Sequence, residues 1–310
     1  MPVRTNNRDL QTSVDDLARS LLAAWEELPS EADYRKKFLD EAPWRRALPA
    51  LPDLATRLPT VLITGFIGVA AVDHSERPTL LASSEVYGAD PTKVRSNVGE
   101  SLALHFDVKL TDDIDVLLVD DPSPQALPCF CGGRQGTSGA AVLTATGVPG
   151  FLTAGHVAYP PGAQVLSDGG SVIGSVEFSA NPAAATPGTI SADVAVVGTW
   201  HDEFVGETTY KGPAPVFGGE PIIVKAVGED RPSSIFAHAS WIAVPSFPGF
   251  WGDVYLTGGA ITAVGDSGAA VVRVHEDGQL VGHVLGASQN MTTYVQAADF
   301  QLAAAGVTLL

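Results

Sequence analysis

The chain predicts a mainly β protein, with a helical segment and a small α/β module ahead of the β part. Three observations predict this. Short Val-rich runs separated by glycine turns fill the second half. Glycine and proline are frequent, at 32 and 22 of 310 residues, beside enough aliphatic side chains for a core. Apolar residues at helical spacing mark the N-terminal segment instead.

From Ser13 to Leu28 the pattern is an amphipathic helix, with Val14, Leu17, Leu21, Trp25 and Leu28 on one face. Ser13 with Asp16 supplies a capping pattern, and Pro29 stands just past the end. A second helix is expected from Ser30, with Asp33 repeating the cap and Tyr34 and Phe38 turned inward. Pro43, Pro49, Pro52 and Pro59 then break the chain into turns. Residues 1–59 are therefore read as a helical segment. Its apolar stripe either packs on its own chain or docks a protein partner or a second copy, giving a homo-oligomer.

Residues 60–127 read as the α/β module. Val61 to Val72 is strand-like, and Pro91 to Phe106 carries Val94, Val98 and Leu102 at helical spacing. Asp115 to Val119 is a short buried strand closed by Asp120-Asp121-Pro122. From residue 128 the β part begins. Gly132-Gly133 and Gly136-Thr137-Ser138-Gly139 lead into a strand at Ala140 to Leu143, paired with the apolar run that ends at His156.

Three islands in this part carry chemistry: Thr153-Ala154-Gly155-His156, Asp193-Val194-Ala195-Val196 and Gly265-Asp266-Ser267-Gly268. A serine hydroxyl attacks poorly at neutral pH unless a neutral imidazole takes its proton. That imidazole in turn needs a carboxylate to fix its tautomer. His156 ends a buried strand, beside a cleft. Asp193 is one acid in an apolar run, so it must find a donor. Gly265 and Gly268 permit a tight turn that exposes Ser267 and lets adjacent N–H groups converge on one oxygen, worth about a hundredfold to a thousandfold in rate. Taken singly, each island also fits a hydrogen-bonded histidine, a turn cap or a hairpin loop.

The order His156, Asp193, Ser267, with Gly-Asp-Ser-Gly around the serine, resembles the chymotrypsin/trypsin-like serine peptidases, in an intracellular, compact bacterial-type form. The order Asp, His, Ser and the order Ser, Asp, His belong to other serine hydrolase designs. The resemblance implies a chymotrypsin-like double six-stranded antiparallel β-barrel over 128–310. It implies that Ser267 is the nucleophile, His156 the general base and Asp193 its orienting partner, with the N–H groups of Gly265 and Ser267 as the oxyanion hole. It also places Ile261, Leu285, Gly286 and Ala287 at the pocket for the residue before the cut bond. None of these is acidic, so a small or apolar residue fits better than Lys or Arg. His283 lies one residue out of register with a pocket histidine of acid-preferring relatives, which turns it to the other face of its strand.

The function expected is serine endopeptidase chemistry on a polypeptide substrate through an acyl-enzyme. The alternative is a catalytically silent or latent scaffold that binds peptides or partner proteins. The aromatic stretch from Trp241 to Gly252 either lines the cleft or packs on the barrel.

Composition bounds the rest. The net charge is −17, with 9 basic and 10 acidic side chains in residues 1–60 but 9 and 25 in residues 61–310. That balance argues against nucleic acid as a partner. No run reaches the length of a membrane span, and the first residues lack the apolar region of a secretory signal, so a cytoplasmic protein is expected. Cys129 and Cys131, two residues apart, are expected as reduced thiols. Where the resembling family often has a Cys after its His, this chain has Val157. No His/Cys spacing suggests a metal, and no cofactor is expected.

Overall fold

The computed structural model describes residues 7–26, 66–73, 75–87, 91–106, 109–119, 123–124, 127–167, 169–186, 188–199, 210–226, 229–244, 247–259, 261–274, 278–288 and 292–310. The helix expected from Ser30 and the four prolines after it lie outside these residues.

The N-terminal helix α1 runs Asn7–Glu26 and so begins before the expected Ser13 cap. Leu10 extends the stripe by one turn and packs, with Val14, Leu17, Ala18 and Leu21, on Val69, Leu80, Val98 and Trp241. The described part of the stripe, from Leu10 to Leu21, is thus covered by the chain's own sheet. Strands β1 (Phe66–Val72) and β2 (Pro78–Ser83) form an antiparallel pair. After the single turn α2 (Ser84–Tyr87), helix α3 (Pro91–Phe106) crosses to β3 (Asp115–Val119), which lies parallel to β2. Parallel neighbours need such a crossover. Val94, Val98 and Leu102 of α3 face inward, as their spacing predicts. Among the described residues no helix is long and apolar enough to cross a membrane.

Next come the short strand β4 (Ser123–Pro124) and the pair β5 (Leu127–Cys131) and β6 (Arg134–Gln135). The first of two large sheets is built mainly from β7 (Ala141–Leu143), β8 (Pro149–Thr153), β9 (Gln164–Leu166), β10 (Val172–Ala180) and β12 (Val194–Gly198). The short strand β11 (Ile190–Ser191) precedes β12 but pairs elsewhere. The second sheet holds β13 (Pro221–Ala226), β14 (Glu229–Ala243), β15 (Phe250–Thr257), β16 (Ala270–Arg273), β17 (Leu280–Ala287) and β18 (Thr293–Ala297). Helix α4 (Ala298–Ala305) then leads to β19 (Thr308–Leu309), which joins the first sheet beside β7.

The first sheet has six strands in the order β19-β7-β8-β12-β10-β9. In the second, β13, β14, β15, β18, β17 and β16 pair in succession, and β16 pairs back to β13. These six antiparallel strands close a ring around Val216, Ile222, Ile235, Val271, Val284 and Val295. The two-sheet architecture is consistent with the chymotrypsin-like double barrel that the sequence resemblance implies.

One feature of the sheet was not readable from strand patterns. β14 outruns β13, and its free edge over Ala237 to Ile242 is taken by β1. An unpaired edge strand is costly and adhesive. β1, β2 and β3 therefore extend the second sheet to eleven strands, together with β11 and β4.

Candidate active site

Strands β8 and β12 bring the first two candidate residues together by register. Thr153 pairs with Ala195, so continuing the ladder past the end of β8 carries the chain toward Asp193. Gly155 is required there: a Cβ on it would run into the carbonyl of Ala180. Beyond it the chain turns, with the N–H groups of Val157 and Ala158 donating to the Ala154 carbonyl. From β6, Arg134 Nη1 donates to the His156 carbonyl at 2.7 Å.

Asp193 is fully buried. A carboxylate there survives only with donors on both oxygens. The His156 amide donates to Oδ1 at 2.8 Å, and His156 Nδ1 lies 2.7 Å from Oδ2. The Trp251 indole Nε1 also donates to Oδ2, at 3.0 Å. Because the carboxylate only accepts, Nδ1 carries the imidazole proton and Nε2 is left as an acceptor. Ser267 Oγ lies 3.2 Å from that Nε2 and 3.3 Å from the Leu285 carbonyl oxygen, so one hydroxyl proton is shared between the two. The structure thus brings His156, Asp193 and Ser267 into one hydrogen-bonded line.

The loop carrying Ser267 is shaped by Gly265 and Gly268, at φ +99° and +91°. Its carbonyls are tied to the segment between β6 and β7: Thr137 Oγ1 donates to Gly265 O and Thr137 N to Ser267 O, both at 2.8 Å. Asp266, nearly buried, accepts from Ala263 N at 2.7 Å and from Arg231 Nη1 at 2.6 Å. Sequence reasoning expected this turn to expose Ser267. Instead Ser267 is 0 % exposed and His156 5 % exposed. The Phe247 ring, 6.3 Å from the His156 ring, packs beside the imidazole.

The expected pocket residues divide. Ile261 is half-buried, and its N–H donates to Thr293 Oγ1 at 3.1 Å. The Leu285 side chain is a correction to the expected pocket lining, because it packs in the core with Trp251, Val254 and Tyr294. Its alternation on β17 turns it inward, and only its carbonyl meets Ser267. Gly286 and Ala287 are buried and pair with Pro124 and Ser123 of β4. Beside them, the chain ahead of β16 leaves β17 to form the Ser267 loop: past the pair of Ala270 with His283, the last backbone bond along this edge runs from Gly268 N to the Val284 carbonyl at 2.8 Å. β4 fills that vacated edge.

A buried amide network behind Asp193 escaped sequence reading. Gln296 Oε1 accepts from Asp193 N at 2.8 Å, while its Nε2 donates to Gly252 O at 2.7 Å. Gln301 Nε2 reaches Asp193 O at 3.4 Å, and its Oε1 accepts from His283 Nδ1 at 2.7 Å. His283 Nε2 accepts from Ala140 N at 3.0 Å. Burial pushes the His283 imidazole down to about 4, against the opposing pull of Gln301. It is therefore a neutral tie between the barrels, in keeping with its out-of-register position. The signal that could have found Gln296 is a lone amide within the apolar run of β18.

No family model and no curated protein matches the chain. Among solved structures, it is similar to the Nocardiopsis protease NAPase, at 24 % identity over 59 % of this chain and 96 % of that one, with a TM-score of 0.45. It is similar to Cellulomonas bogoriensis chymotrypsin at 23 % identity, over 59 % and 95 % of the two chains and a TM-score of 0.44. Thermobifida fusca protease A matches at 20 % identity over 60 % and 97 %, with a TM-score of 0.45.

Proposed function

We propose that the chain is a serine endopeptidase whose chemistry resides in residues 128–310. The observation that carries this reading is the unbroken line from Ser267 Oγ through His156 to Asp193, with spacings of 3.2 and 2.7 Å. Ser267 attacks the peptide carbonyl as His156 Nε2 takes its proton. Asp193 holds the imidazole in the required tautomer and stabilises the imidazolium. The tetrahedral oxyanion is met by the backbone N–H groups of Gly265 and Ser267. His156 then protonates the leaving amine, an acyl-enzyme remains, and water activated by the same imidazole releases it.

The side chain before the cut bond is small or apolar rather than Lys or Arg. Ile261, Gly286 and Ala287 offer no carboxylate, and His283 faces the barrel interface instead. A fluorophosphonate tests the nucleophile: the intact chain is expected to be labelled and Ser267→Ala not at all. Labelling that persists in Ser267→Ala rejects the assignment. Cleavage of a peptide library by the intact chain, with Ser267→Ala as control, tests the preference.

A second observation favours latency of the full chain. Ser267 is closed to solvent, and β4 occupies the edge of β17 one residue from the carbonyl that touches its hydroxyl. An extended peptide binds such an edge by adding a strand, so β4 and a substrate compete for it. Ser123→Pro leaves β4 without an N–H at either position. It is expected to speed labelling of Ser267. An unchanged rate rejects latency through β4.

A further inference from the structure

We propose that Trp251 is a positioning residue for this reaction, its indole N–H locking the Asp193 carboxylate in the orientation His156 needs. The inference rests on the peptidase reading. A buried carboxylate with donors from one side only can turn about its Cβ–Cγ bond. His156 supplies two donors, but both belong to the group being positioned. Trp251 supplies the third from the opposite barrel, where β15 is held by pairing of Trp251 with Ile242. The carboxylate is therefore fixed from outside the pair it serves.

The indole has little freedom of its own. Trp251 is fully buried, with the Phe247 ring edge-on at 6.1 Å and the Tyr294 ring tilted at 6.1 Å. A large rigid side chain whose one polar atom meets a charged acceptor positions that acceptor as well as filling the core. The charged groups around the pair are otherwise engaged. Arg134 holds the His156 carbonyl, Asp266 is held by Arg231, and His283 reaches only the Asp193 backbone, through Gln301.

Trp251→Phe keeps a ring and removes the donor. The expected result is a kcat lower by about ten- to a hundredfold, the range for losing one hydrogen bond to a charged group. KM changes by less than about twofold, because the lost contact does not touch substrate. The acid limb of kcat/KM moves to higher pH, since a carboxylate with one donor fewer holds an imidazolium more tightly. A variant with unchanged kcat and an unmoved acid limb overturns the proposal, as does a change in KM alone.

Should Trp251→Phe fail to fold, the Ser267→Ala protein supplies a readout without hydrolysis. Its Trp251 indole 1H–15N signal, assigned through contacts to the Phe247 and Tyr294 rings, is expected to shift with the same midpoint as the His156 ring. An indole signal that stays fixed while the imidazole titrates overturns the proposal. Failure of fluorophosphonate labelling in both the intact chain and Ser123→Pro, by contrast, strikes the peptidase reading and leaves the titration result standing.

Discussion

The two halves of the site are assembled by different physics. His156 and Asp193 sit at the ends of neighbouring strands of one sheet, so the β8–β12 ladder alone brings them close. Ser267 lies on a loop of the other barrel, and no shared ladder delivers it. Its approach depends on Thr137 gripping the loop carbonyls and on Gln296, Gln301, His283 and Trp251 bridging the barrels around Asp193. A pair within one sheet is robust to small shifts, whereas contact across two barrels lasts only while every buried polar tie is satisfied. The comparison teaches that the alignment of this site is a property of the interface between barrels.

The largest effect is expected within the first half. Asp193→Asn preserves size but lets the side chain donate, which favours the wrong imidazole tautomer. A loss of about ten-thousandfold in kcat is expected, with folding retained. Steady-state hydrolysis with circular dichroism checks this, and a loss of less than about tenfold would remove Asp193 from its role.

The interface should then show a pH signature that the sheet pair does not require. His283 is held near 4 in the folded state, below its ordinary 6.5. The unfolded chain therefore takes up the proton first. Stability contributed by neutral His283 is complete above about 6.5 and falls away as pH drops toward 4, by up to about 3 kcal/mol. Urea unfolding at pH 7 and pH 4.5 measures it, and the non-titrating His283→Gln is expected to lose less stability between the two. Identical losses in both proteins would free the interface of this dependence.

The smallest effect sharpens the comparison as a control. Lys225 and Asp230 pair between β13 and β14, and their ion pair includes none of the residues that bridge the barrels. Lys225→Ala is expected to cost less than about 1 kcal/mol and to leave kcat unchanged. A measurable drop in kcat would mean that the second barrel transmits strain from its surface to the site.

The islands were legible because their chemistry is local. A histidine after a buried strand, an acid in an apolar run and a serine between glycines each announce themselves within a few residues. Trp251 was visible only as part of an aromatic stretch with two readings, lining the cleft or packing. In the structure it packs and also donates to Asp193. Gln296 and Gln301 carried no motif at all, because an amide's partners are set by what lies across the interface. The expected exposure of Ser267 failed for a related reason: a glycine turn decides backbone shape, while solvent access depends on which segment covers it.

The linear order of residues by itself determined the strand-rich fold, the apolar face of α1 and the three groups that meet in one hydrogen-bonded line. These follow from periodicity and side-chain chemistry, which act between near neighbours. Tertiary structure alone decided that β1 would extend β14, that β4 would take the edge beside Ser267, and that Trp251 and two glutamines would hold Asp193. Each of those is a pairing between segments distant along the chain, chosen because a buried donor, acceptor or strand edge must find a partner and folding offers that one.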